Sequence, residues 1–137
     1  MPSYTKITSE HIEFFKQICN DQVYFDSEKL QEYSHDETED LSFPPEVVLK
    51  PNSVEEISKI LSFCNENKIC VTPAGARTGL SGGALPIHGG VLLSMEMFNK
   101  IIEIMSGKWK VDSLKISNQI KKKISIKKFK KLIDKIA

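Results

Sequence analysis

The chain has little cysteine, and none of it in a metal-holding pattern. Its three cysteines, Cys19, Cys64 and Cys70, form no C-x-x-C pair. An odd count without an export signature favours buried, reduced thiols over disulfides. The three histidines, His11, His35 and His88, lack metal-ligand spacing, and His11 reads as a solvated residue on a surface helix. No apolar run reaches the roughly eighteen residues a membrane span needs. The start, Met1-Pro-Ser-Tyr4, lacks a basic segment followed by an apolar stretch, so no signal peptide is expected and the reading is cytoplasmic. No Gly-Lys-Ser or Gly-Lys-Thr follows the glycines, which excludes a P-loop.

At 137 residues the chain is one domain at most. Its charge is unevenly spread. Residues 1–105 carry eight basic and sixteen acidic side chains, a net of −8, whereas 106–137 carry eleven lysines and two aspartates, a net of +9. The tail contains no arginine. Ile116, Ile120 and Ile124 recur there at four-residue spacing, and Ile126, Phe129, Ile133 and Ile136 at three and four. That is an imperfect apolar face on a lysine-rich helix, a form suited to anionic lipid or nucleic acid. An isolated helix of this kind is marginal in water, so a helical and a disordered tail are both expected. The favoured origin of the tail is out-of-frame or decayed coding sequence, with the basic helix as the alternative.

What the chain does have is glycine in one place. Pro73 to Pro86 reads P-A-G-A-R-T-G-L-S-G-G-A-L-P, with Gly75, Gly79, Gly82 and Gly83 inside fourteen residues. Glycine reaches positive φ without steric cost and admits close approach to the backbone. Successive N–H groups of such a loop can converge on an anion. The loop follows an apolar run, Ile69-Cys70-Val71, that reads as a strand, and a glycine-rich loop leaving a strand commonly holds phosphate. The spacing is not the Rossmann fingerprint, because Gly82-Gly83 lead to Pro86 rather than into a helix.

Along the chain, Thr8 or Ser9 reads as a helix N-cap with Glu10 in the first turn. A second short helix is expected over 27–33. Pro44-Pro45 forbid helix, and Val47-Val48-Leu49 reads as a buried strand. Ser53 and Glu56 form a capping box for a helix running to about Asn67, with Ile57, Ile60, Leu61 and Cys64 inward. Further strands are expected over 69–72, 91–94 and 100–104. Strand, helix and strand in this order suggest a crossover with parallel strands. The acidic run Asp36, Glu37, Glu39 and Asp40 reads as a solvated loop.

The string T-G-L-S-G-G-A-L-P resembles the pyrophosphate loop of FAD-linked oxidases of the vanillyl-alcohol oxidase and p-cresol methylhydroxylase type. The nearest branch is the glycolate oxidase flavoprotein subunit and D-lactate dehydrogenase group. Tyr33-Ser-His-Asp36, the run from Pro44 to Ile57, His88-Gly-Gly-Val-Leu-Leu-Ser94 and Phe98-Asn-Lys-Ile-Ile-Glu-Ile104 continue the resemblance in order, over roughly residues 10 to 104. It implies an α+β fold, the N-terminal part of a p-cresol methylhydroxylase-type FAD-binding domain: a strand-helix-strand unit with a glycine-rich loop, plus a basic helical tail. The organisation that follows is an N-terminal helical segment over 1–40, a partial FAD-binding domain over 41–104, and a lysine-rich, non-family tail over 105–137.

The resemblance implies FAD binding by Pro73, Ala74, Gly75, Ala76, Arg77, Thr78, Gly79, Leu80, Ser81, Gly82 and Gly83. Thr78 and Ser81 can add hydroxyl donors. Bulkier residues at Gly79, Gly82 or Gly83 are expected to obstruct close approach or the required φ. Arg77 stands where the family commonly has glycine. Its side chain is read as either a phosphate contact or a solvated surface group. Ala84 follows the two glycines, where some members attach FAD covalently, so the FAD implied is non-covalent. The activity implied is oxidation of a 2-hydroxy acid of the glycolate or D-lactate type, with no catalytic residue assigned. The substrate domain is missing, which implies an inactive fragment or one completed by a second polypeptide. The alternative is a small stand-alone binding module whose basic tail contacts anionic lipid or nucleic acid.

Overall fold

The computed structural model describes residues 3–38, 40–98, 101–105 and 108–111. They divide into two units, Met1–Met95 and Glu96–Ala137.

The first unit opens with helix α1 (Ser9–Cys19). Thr8 caps it: its Oγ1 accepts from the His11 N–H at 3.4 Å, and the Thr8 N–H donates to His11 Nδ1 at 3.2 Å. His11 thus takes the place that Glu or Gln fills in the usual reciprocal cap. It is half-buried rather than solvated, and its ring meets the Phe63 ring edge-on at 5.6 Å. Strand β1 (Val23–Tyr24), which the sequence reading did not anticipate, leads to helix α2 (Ser27–Glu32). Asp26 Oδ1 accepts from the Lys29 N–H at 2.9 Å and caps α2.

Strand β2 (Val47–Leu49) is buried at every position, as its unbroken apolar run requires. Helix α3 (Val54–Glu66) starts at Ser53, whose Oγ accepts from the Glu56 N–H at 3.2 Å. The Glu56 carboxylate reaches one residue past the cap to accept from the Asn52 N–H at 2.7 Å. Ile60 and Cys64 are buried, but Leu61, expected inward, is 45% exposed. At about 100° per residue Leu61 falls outside the arc centred on Ile60 and Cys64, while Phe63 falls on its other flank. There the Phe63 ring stacks on the Phe14 ring of α1 at 3.8 Å.

Strands β3 (Val71–Ala74) and β4 (Val91–Ser94) complete a four-stranded sheet of order β1-β2-β4-β3. β2 and β3 both run parallel to β4, with Val47 and Val71 each opposite Val91. The parallel expectation holds, but β4 lies between the two strands that α3 connects. β3 starts two residues later than expected, because the Ile69 N–H is spent on the Cys64 carbonyl at the end of α3. It is an edge strand, which accommodates Pro73 and its missing donor.

Alternation along the strands splits the core into two layers. Val47, Leu49, Val91 and Leu93 pack with Phe15, Cys19, Ile60 and Cys64 from α1 and α3. Val48, Leu92 and Ala74 pack with Tyr33 on the other face. Phe15, Cys19 and Tyr33, from the stretch 1–40, thus pack into the same core as the strands that follow. Gly90 enters β4 at φ +69°, and a Cβ built there would lie 2.4 Å from the Cys70 carbonyl oxygen.

All three cysteines are free. Burial pushes the Cys19 thiol up to about 11, with the Glu56 charge adding to the effect, and pushes Cys64 to about 12. In the unfolded chain both ionise at the ordinary value near 9. Above that pH the unfolded state binds fewer protons than the folded one, so stability falls as pH rises. Urea midpoints are expected to decline steadily from pH 9 to 11, and Cys19→Ala plus Cys64→Ala to flatten that decline.

In the second unit, β5 (Ile101–Met105) pairs antiparallel with β6 (Lys108–Val111). The strand expected over 100–104 is shifted by one residue. β6 falls in the tail, expected to be helical or disordered, and the strand corrects that for these four residues. The isoleucine-spaced stretch 116–136 lies outside the described residues. Among the described residues no helix is long and apolar enough to cross a membrane, and no three His, Cys, Asp or Glu gather as metal ligands.

Candidate functional site: the glycine-rich loop

β3 delivers the chain to the carboxyl end of three parallel strands, the end at which open α/β sheets take their ligands. Pro73 and Ala74 are the last residues of β3, and Ala74 is buried. Gly75, Ala76, Thr78, Gly79, Leu80, Ser81 and Gly83 are exposed, Leu80 at 76%. Among the described residues the backbone N–H groups of these seven have no protein partner. A run of amides directed to neither helix nor sheet, in a loop with little side-chain bulk, can gather on an anion. The residues present therefore fit a pyrophosphate.

The four glycines differ in what the protein asks of them. Gly82 sits at φ +69°, and an added Cβ would press on Leu85 Cδ1 at 3.3 Å. At Gly75 and Gly83 an added Cβ would meet no atom within 4 Å. At Gly79 it would meet only Asp36 Oδ2, at 4.0 Å. The demand for positive φ thus falls on Gly82 alone among the four, and any need for glycine at 75, 79 or 83 comes from the ligand side.

Arg77 does something neither expectation named. It adopts φ +56°, where a side chain costs about 1–2 kcal/mol. Its guanidinium turns back over the Tyr33 ring, 4.2 Å from the centroid, and Nη1 donates to the Glu32 carbonyl. A stacked cation is worth about 0.5–2 kcal/mol and a charge-assisted hydrogen bond about 1.5–3 kcal/mol. Partial exposure trims both, and both act against the strain. Lys50 Nζ also lies 5.2 Å from the Tyr33 ring centroid, so buried Tyr33 holds two cations at the carboxyl edge of the sheet.

The acidic run is not uniformly solvated. Glu37 and Asp40 are exposed, and Glu39 lies outside the described residues, but Asp36 is only 7% exposed. Its Oδ1 accepts from the Thr38 N–H at 2.8 Å. The Thr38 hydroxyl and amide together hold the carboxyl below the usual carboxylate range. Asp36 Oδ2 is buried without a hydrogen-bond partner among the described residues. Thr38 Oγ1 in turn accepts from the Gly82 N–H at 2.8 Å. Segment 32–38 therefore supports the loop at Arg77 and at Gly82 and lies beside it at Gly79. Tyr33-Ser-His-Asp36 was visible in the sequence, but nothing local says that it lies beneath a loop some forty residues later.

His88 packs its ring 5.1 Å from the Tyr4 ring, as a turn residue can. A cavity of about 840 Å³ opens elsewhere, between α1, α2 and Pro44–Glu46, and shares no residue with the loop.

A family profile described as "FAD binding domain" matches residues 45–113. Over 100 residues the chain is 46% identical to the D-lactate dehydrogenase of Anaerostipes hadrus, covering 72% of this chain and 21% of that protein. It is 39% identical over 72 residues to the glycolate oxidase subunit GlcD of Bacillus subtilis, covering 53% of this chain and 15% of that one. Among solved structures, p-cresol methylhydroxylase with substrate bound is similar with a TM-score of 0.66 at 23% identity, over 81% of this chain and 24% of the other. That likeness shows the fold. The chain spans about a fifth of the length of the curated relatives it matches.

Proposed function

Because this chain belongs to the FAD binding domain family, we propose that its loop from Pro73 to Gly83 holds the pyrophosphate of a non-covalently bound FAD, as the cofactor part of an oxidoreductase acting on 2-hydroxy acids. One observation carries this: seven consecutive-to-near loop residues present amides without protein partners at the carboxyl ends of parallel strands, inside the family-matched residues. Backbone donors bind a phosphate without a dedicated cation, which suits a loop whose Arg77 is committed to Tyr33. Thr78 and Ser81 are exposed and add hydroxyl donors. Ala84 has no nucleophile with which to bond the flavin. When bound, FAD supplies the hydride acceptor for oxidation of the substrate's α-carbon. The names of the two relatives favour D-lactate or glycolate as the acid class. Substrate contacts would come from the remaining four fifths of such a protein, in the same chain or in a second polypeptide.

Titration of FAD into the purified chain is expected to give saturable quenching of flavin fluorescence, with the flavin released by acid precipitation. ADP, which shares the pyrophosphate, should compete; riboflavin, which has no phosphate, should not. Riboflavin competing as well as ADP would remove the loop from the binding site. The chain alone is expected not to reduce a dye with D-lactate or glycolate, and turnover would show that it holds more than the cofactor part.

A further inference from the structure

Segment 32–38 does more than fill space beneath the loop. Forty-four residues separate Thr38 from Gly82, yet the Thr38 hydroxyl takes the Gly82 amide at 2.8 Å. Gly82 is the loop glycine that the backbone itself requires, at φ +69°. Thr38 is fixed in turn, because its own amide is bound by Asp36 Oδ1 at 2.8 Å. Asp36 is more than nine-tenths buried, with Oδ2 facing Gly79. A hydroxyl suits this post because it accepts one hydrogen bond and donates another. The arrangement withdraws one loop amide from the ligand and pins the point where the chain reverses.

We propose that Thr38, held by Asp36, is a positioning residue: its Oγ1 sets the bend at Gly82 and so the aim of the amides at 75–81 that receive the cofactor's pyrophosphate. This rests on the loop binding FAD, as argued above, but its first consequence does not. Removing the hydroxyl frees the Gly82 N–H whether or not a flavin is present.

The full chain is tested in two ways, with Thr38→Val (near-isosteric, no hydroxyl) and Thr38→Ser (hydroxyl kept). Amide hydrogen exchange without flavin should find Gly82 protected in the parent and in Thr38→Ser, and exchanging at least tenfold faster in Thr38→Val. FAD titration should give a dissociation constant about tenfold weaker for Thr38→Val and within twofold of the parent for Thr38→Ser, with ADP following the same order. Equal Gly82 exchange in all three proteins overturns the proposal. So does faster exchange in Thr38→Val with FAD affinity unchanged. If the parent binds no FAD, the function proposed above fails, and the exchange result alone decides whether Thr38 sets the bend. Should Thr38→Val not fold, Thr38→Ala takes its place: Gly82 is expected to exchange at least tenfold faster in it than in Thr38→Ser, and equal exchange in those two overturns the proposal.

Discussion

Gly90→Ala is expected to cost about 2–5 kcal/mol, or to prevent folding altogether. Two penalties add at this position. The positive φ of +69° strains any side chain by about 1–2 kcal/mol. The new methyl would also sit 2.4 Å from the Cys70 carbonyl oxygen and 3.1 Å from its carbon, which are backbone atoms and cannot rotate away. Forcing atoms into a packed site costs about 1–3 kcal/mol. The surroundings cannot yield either. Cys70 O accepts from the Val91 N–H at 2.9 Å, and Gly90 O accepts from Glu46 and Val47 at 2.9 and 3.2 Å. Relief of the clash therefore breaks the entry to β4, the strand with two parallel neighbours. Against a total stability of roughly 5–15 kcal/mol for a domain of this class, the loss is close to fatal. Urea denaturation followed by circular dichroism measures it. Gly83→Ala is the control for stability: nothing stands within 4 Å of its Cβ, and its midpoint should shift by no more than about 0.5 kcal/mol.

Phe15→Ala is expected to lose about 3–5 kcal/mol, the usual result of deleting a buried aromatic ring. Phe15 is fully buried and meets the Phe63 ring edge-on at 5.5 Å. It belongs to the same core layer as Val47, Leu49 and Val91. The family profile begins only at residue 45, so α1 lies outside the matched stretch while supplying its core. Phe15→Leu, which keeps most of the volume, should cost less than about 1.5 kcal/mol. A chain started at residue 41 should for the same reason expose Ile60, Cys64 and one face of β2, and bind hydrophobic dyes. Equal stability of Phe15→Ala and the parent would mean that α1 is not part of the folded core.

Much of this architecture was legible in local sequence. The apolar runs at 47–49 and 91–94, the cap at Ser53 and the start of α1 were read to within a residue, because each depends on neighbours a few positions away. The loop itself was legible through its glycines. What failed to show has a common cause: it depends on residues distant in sequence. β1 is two residues long and exists only by pairing with β2. Leu61 looked inward because periodicity alone cannot tell which flank of α3 meets α1. Asp36 looked solvated because a run of carboxylates normally is, and its burial follows from Thr38 and from the loop above it. Arg77 could not be assigned from its neighbours, since Tyr33 and the Glu32 carbonyl, which hold it, lie over forty residues earlier.

The order β1-β2-β4-β3 sets a timetable for synthesis. When Val71–Ala74 leaves the ribosome it has nothing to lie against, because its one neighbour has not been made. β3 can pair only once Val91–Ser94 has been made, and that last-made strand of the sheet lies between two earlier ones. The glycine-rich loop, which lies between β3 and β4 in the chain, therefore takes its shape only when those two strands pair. A translation stop before Val91 would leave β3 without its sheet neighbour.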